Sequence, residues 1–287
     1  MLKDRESIVL KKIEDRMISR VNLGFDLEVL SVLDNADASS SQIEELKGRL
    51  SSEILLRLLS IASSVYYGSL KRGAVNSFYE AVSRLGMDQT KAFIIILAQQ
   101  ALARGDREIE NVFARSFATA VMGKLLSKEF ALREDAARKV ELGGLLLEIG
   151  RIMIMLYRKL YLKDEEGVEE SDISDAFIDA AHPRLGVAVV DKFLLPPYLK
   201  RILLADSLVF DARSIALAGI VRLAHDAVVA SFRRFNNKLV LTAPPPSREE
   251  GFSIAEMVME HFRAVGLQQH LQIIRIEETQ AGDPPAA

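Results

Sequence analysis

Apolar residues recur three and four positions apart along most of this chain, and no segment sustains the strict alternation of a half-buried strand. That periodicity predicts an all-α fold. Residues 4–20 place Ile8, Val9, Ile13, Met17 and Ile18 at helical spacing among charged side chains. Ser41-x-x-Glu44 reads as a capping box opening a helix towards Leu50, because hydroxyl and carboxylate can satisfy each other's orphan amides. Ser52 caps a second helix carrying Ile54, Leu55, Leu58, Leu59 and Ile61. Asn76 and Asp88 read as N-caps of the next two, with Gly86 as the residue that ends the first of them.

Longer helical patterns follow over about 108–129 and 134–161, then a charged break from Lys163 to Glu170 and a short helix near 172–180. His182-Pro183 opens another helix, since Pro suits a first turn, and Leu195-Pro196-Pro197 ends it and starts the next. A last core helix covers about 212–233, and Lys238 to Thr242 could form a short strand. The three prolines at 244–246 make the following stretch a linker. Beyond it, Ile254, Met257, Val258, His261 and Phe262 pattern as an amphipathic helix that could dock a partner or pack back, and the last residues from Ala281 are expected to be disordered.

Composition narrows the function classes. With 37 basic and 40 acidic residues the net charge is −3, so no global positive field favours a nucleic acid. There is no Cys, which excludes disulfides, thiolate metal sites and a Cys nucleophile. The first 17 residues are charged throughout and lack the apolar region of a secretory signal. The longest apolar runs, Ala92 to Ala98 and Leu142 to Leu147, fall far short of the roughly 20 residues that cross a bilayer. The expectation is a soluble, cytoplasmic protein without nucleic-acid or membrane partners. No Gly-rich phosphate loop and no Gly-x-Ser-x-Gly nucleophile motif is present; Gly143-Gly144 lies inside a helical pattern, where it allows close helix packing.

The stretch Gly143-Gly144-Leu145-Leu146-Leu147-Glu148-Ile149-Gly150-Arg151 carries the sharpest signal. It resembles the G-L-L-H-D-I-G-R segment of HD-type metal phosphohydrolases and of their relatives, the HDOD signalling domains. Other segments are similar to HDOD elements in the right order: Leu27 to Leu46, Leu50 to Gly68, Ser77 to Lys91 and His182 to Pro197, together spanning roughly residues 20–230. The resemblance implies an all-helical fold, an N-terminal helical bundle packed on an HD-like helical half. Its expected parts are an N-terminal helix at 1–20, an N-terminal helical subdomain at 21–105, an HD-like subdomain at 106–235, and a Pro-rich linker, helix and tail at 236–287.

HD chemistry needs His and Asp side chains converging from several helices on one or two metals that activate water. By the resemblance, the helical His of that set falls at Arg115, and the central His-Asp pair falls at Leu147 and Glu148. Leucine has no lone pair to give, and guanidinium offers only donors. His182 keeps a His position, later His positions fall near Ala205 and Asp206, and the terminal Asp falls at His225 or Asp226. A rebuilt site from Glu148, His182, Asp206 and His225 or Asp226 is conceivable by ligand type, but it sets Arg115 against the metal. The expectation is therefore that no residue is catalytic and that no metal or other cofactor is held. If Arg115 points into the vestigial cleft it can pair with Glu148 or receive an anion; the plainer reading is a solvated helix arginine.

The G-Y-P motif of the related cyclic-di-GMP phosphodiesterases is also missing. Tyr66 and Tyr67 beside Lys71 and Arg72 could stack on and neutralise nucleic acid, but read mainly as one tyrosine packing at the junction of the two halves with the cations solvated. Phe232-Arg233-Arg234-Phe235 reads as the end of a helix, and His261 and His270 are isolated. The function this implies is non-catalytic signal transduction in bacteria, through a protein partner bound in trans or a homodimer. Two alternatives are a divergent metal phosphohydrolase using Glu148 and His182, and a sensor holding a nucleotide or other anion in the vestigial cleft.

Overall fold

A computed structural model describes residues 4–20, 24–64, 67, 74–204, 215–235 and 238–241. The architecture is all-α, with one two-stranded hairpin as the exception among the described residues. The first half comprises α2 (Glu28–Asp34), α3 (Ser40–Glu45), α4 (Ser52–Ser63), α5 (Phe78–Leu85) and α6 (Met87–Ala103). The second comprises α7 (Arg107–Glu129), α8 (Glu134–Leu146), α9 (Ile149–Leu160), α10 (Asp175–Lys192), α11 (Tyr198–Leu204) and α12 (Ile215–Ser231). Among the described residues no helix is long and apolar enough to cross a membrane.

Helix α6 is the axis on which the halves meet. It is buried from Gln89 to Gln99 on every face, as a helix that is apolar all round must be. It touches α2, α4 and α5 on one side and α7, α8 and α9 on the other. Lys91 lies inside it, 1% exposed, and donates to Asp34 Oδ1 at 2.7 Å and to the Leu194 carbonyl at 2.6 Å. Leu194 sits in the turn after α10 at φ +53°, left-handed backbone that costs an L-residue about 1–2 kcal/mol. The lysine thus ties an awkward turn of the second half to the axis of the first.

The N-terminal helix α1 (Asp4–Glu14), continued by a π-helical turn over Asp15–Arg20, belongs to the core. Val9, Ile13 and Met17 are fully buried, and α1 packs on α9 and α10. Arg5 makes a two-point contact with Asp172, and Arg16 reaches Glu165 at 2.9 Å.

Several local expectations shift. The capping box is Ser39 with Gln42 rather than Ser41 with Glu44; Ser51 caps α4 rather than Ser52; Ser77 caps α5 rather than Asn76. Gly86, at φ +87°, both ends α5 and precedes α6, which needs no Asp88 cap. The expected helix over 134–161 is two helices broken at Leu147–Glu148. His182-Pro183 does not open a helix: α10 runs through it with Pro183 in its interior. Pro183 removes the donor for the Asp179 carbonyl, and Asp179 lies on an exposed turn where water can take that place. Phe232–Phe235 is not a helix end but strand β1, paired antiparallel with β2 (Lys238–Leu241). The amphipathic segment around 254–262, His261 and His270 lie outside the described residues, as do Tyr66, Lys71 and Arg72.

Glycines set the helix spacing around the break. A Cβ on Gly144 would stand 2.9 Å from the Cα of Ala120 in α7, and one on Gly150 would stand 2.0 Å from the His182 carbonyl of α10. Both obstacles are backbone, so a methyl group forces whole helices apart. Gly150→Ala is expected to lose roughly 3 kcal/mol or more of stability in urea unfolding. Gly48→Ala, which meets nothing within 4 Å, is expected to lose little.

Candidate functional site

The break between α8 and α9 places one acid in the interior. Leu147 keeps helical torsions, but Glu148 moves to φ −99° and ψ 15°, turning the chain, while its carbonyl starts α9 by accepting from Ile152. Its side chain is 5% exposed. A lone carboxylate there would be expensive, and several helices supply its partners. From α7, Arg115 donates through Nε to Oε2 at 3.2 Å and through Nη2 to Oε1 at 3.0 Å, the two-point geometry that guanidinium and carboxylate share. From α9, Arg151 sets Nε 3.1 Å from Oε1, an ion pair without hydrogen-bond alignment, and its Nη2 donates to Asp179 of α10. From α12, His225 Nε2 stands 3.7 Å from Oε2.

Burial pushes the Glu148 carboxyl up, but His225 and the Arg115 guanidinium outweigh it and hold the group at about 2. At 3.7 Å the imidazole is beyond hydrogen-bond reach, so the aligned contact from Arg115 is the firmer support. Both His225 nitrogens are buried without a hydrogen-bond partner among the described residues. Nδ1 lies 3.7 Å from Asp226, itself exposed and 3.7 Å from Arg222.

The residues singled out in the sequence are thus brought together in part. Arg115, Glu148 and His225 meet, and Leu147 is buried beside them as an apolar residue. His182 is half-buried on α10, its backbone against Gly150. Asp226 faces outward, and Asp206 lies outside the described residues. Among the described residues no group of three or more His, Asp or Glu is placed to hold a metal ion. The reason is visible at Glu148: cationic side chains already engage both of its oxygens. The HD donor set and this centre do not fit.

Two residues of the network gave little signal. Arg151 belongs to the motif but reads as an ordinary helix arginine, and Asp179 looks like surface. A second interior acid, Glu141 of α8, also escaped notice. It is 1% exposed, accepts from the Tyr67 hydroxyl at 2.7 Å and lies 3.1 Å from Lys124. Tyr67 in turn stands edge-on to Phe93, so it packs at the junction of the halves as expected.

The HDOD domain model matches residues 26–207, and the chain belongs to the HDOD family. Among curated proteins none matches. The fold is similar to a Shewanella amazonensis SB2B protein provisionally assigned as a metal-dependent phosphohydrolase, with 16% identity, 91% of this chain and 100% of the other covered, and a TM-score of 0.56. It is also similar to an HDOD domain protein of unknown function from Geobacter sulfurreducens, at 17% identity, 93% and 98% coverage, and a TM-score of 0.50. At such identities the likeness establishes the fold alone.

The pH dependence of stability tests the burial of Glu148. Its pKa is lower folded than the ordinary 4.5, so its contribution is fully present above pH 4.5 and lost as pH falls towards 2. The acid limb should flatten in Glu148→Gln when urea unfolding is followed from pH 6 to about 2. Equal limbs in both proteins would contradict the assignment.

Proposed function

We propose that this protein is a non-catalytic member of the HDOD family that works in bacterial signal transduction by binding another protein. The observation carrying this reading is the occupancy of the centre: Arg115 and Arg151 engage the one carboxylate left in the central pair of the metal-binding pattern, and Leu147 stands where a ligand is needed. A hydrolytic centre of this type works through a metal and the water it activates. Here the oxygens that would bind such a metal are engaged by guanidinium groups. The family membership supports a signalling role, and the partner is expected in trans.

The alternatives have less support. A divergent phosphohydrolase would need Glu148 to exchange two guanidinium partners for a cation. A nucleotide or anion sensor would have to share Arg115 with Glu148, which already takes its Nε and Nη2 donors.

Elemental analysis of the purified, untagged protein, joined to a phosphodiesterase assay on bis(p-nitrophenyl) phosphate with added manganese, iron or zinc, checks the reading. The expected result is substoichiometric metal and no hydrolysis above buffer. Stoichiometric metal with turnover that His182→Ala abolishes would establish the hydrolase instead.

A further inference from the structure

We infer that Arg115 is a built-in cation, doing at this centre the structural work that a metal ion does where HD ligands are intact. The inference builds only on the misfit between this centre and a metal, and does not require the partner-binding role proposed above. A metal bound by side chains from several helices neutralises their charge and fixes the helices at one point. Here Glu148 is the fixed point. Arg115 reaches it from α7, Arg151 from α9 and His225 from α12, and Arg151 extends the network to Asp179 on α10.

Among the described residues the charges close without a metal. The two guanidinium groups balance the Glu148 and Asp179 carboxylates, and Arg222 and Asp226 pair separately. Adding a divalent ion would leave an uncompensated double positive charge beside a carboxylate that is 5% exposed. Removing Arg115 reverses this. Arg151 would still touch one oxygen of Glu148 but is shared with Asp179, while among the described residues Oε2 would keep only the imidazole at 3.7 Å. The vacated volume then lies against a carboxylate oxygen and an imidazole nitrogen, both of which can ligate a cation. An ordinary salt bridge makes no such prediction. A replaced cation does.

Thermal unfolding of the full chain, wild type, Arg115→Ala and Arg115→Ala/Glu148→Gln, each with and without manganese chloride, tests the idea. The wild type should not respond to manganese. Arg115→Ala should melt lower by roughly 10 °C, because a buried carboxylate loses its main partner, and manganese should restore part of that loss. The double variant should recover stability over Arg115→Ala without metal and ignore manganese. If Arg115→Ala does not fold, Arg115→Gln serves the same comparison. A manganese-dependent rise in the wild type overturns the inference. So does the lack of any rise in the single variant, which would leave a plain salt bridge. Phosphodiester turnover by the wild type would sink the non-catalytic reading, whereas failed manganese rescue would sink only this one.

Discussion

A carboxylate inside a helical core must be answered by positive charge, and much of the second half of this protein is arranged around that demand. Glu148 is carried inward by the turn between α8 and α9, not by the face of a helix. The desolvation penalty of such a group is several kcal/mol. It is met by helices that are distant in sequence: Arg115 precedes Glu148 by 33 residues, and His225 arrives from the last described helix. Ion pairs of this kind contribute little net stability over apolar packing, but breaking one is costly. Their value lies in fixing which helices meet and in what register.

That register depends in turn on close approach. The guanidinium of Arg115 reaches Glu148 because α7 and α8 run nearly in backbone contact at Ala120 and Gly144. The α9–α10 crossing at Gly150 does the same for Arg151 and Asp179. Glycines here are not turn residues. They shorten the distance between helix axes until short polar contacts can span it, so packing and electrostatics at this centre are one constraint.

Much of this was legible in the chain. Helical periodicity, the Pro196-Pro197 boundary and the packing role of Gly143-Gly144 follow from local rules that the fold obeys. The misplacements share a physical cause. Ser39, Ser51 and Ser77 cap in place of near neighbours because polar residues cluster there and local chemistry does not rank them. The interruption at Leu147–Glu148 and the continuity through Pro183 run against local expectation, since 134–161 has no internal proline and Pro183 is one. Both are decided by tertiary contacts, the partners of Glu148 in one case and solvent at the Asp179 turn in the other. The pairing of Arg115 with Glu148 stood among the readings of the sequence. Arg151 and Asp179 did not, because an arginine and an aspartate with exposed-looking neighbours carry no mark of what they face across a crossing.

Two further interior charges show how the halves are held. Lys91 on α6 reaches forward to the turn after α10, and Glu141 on α8 reaches back to Tyr67 in the first half. Each is nearly fully buried, and each makes one hydrogen bond to a group from the other half. Apolar contact along α6 supplies most of the attraction between the halves, but it tolerates sliding, because one methyl group can replace another. A buried ammonium that must find a carbonyl, or a carboxylate that must find a phenol, does not tolerate it. Both contacts would be left unsatisfied by a shift of a few ångströms, so they select one docking geometry from many that apolar burial alone would permit. Among the described residues the centre at Glu148 is formed by the second half alone, and its geometry is therefore fixed by the helix crossings of that half.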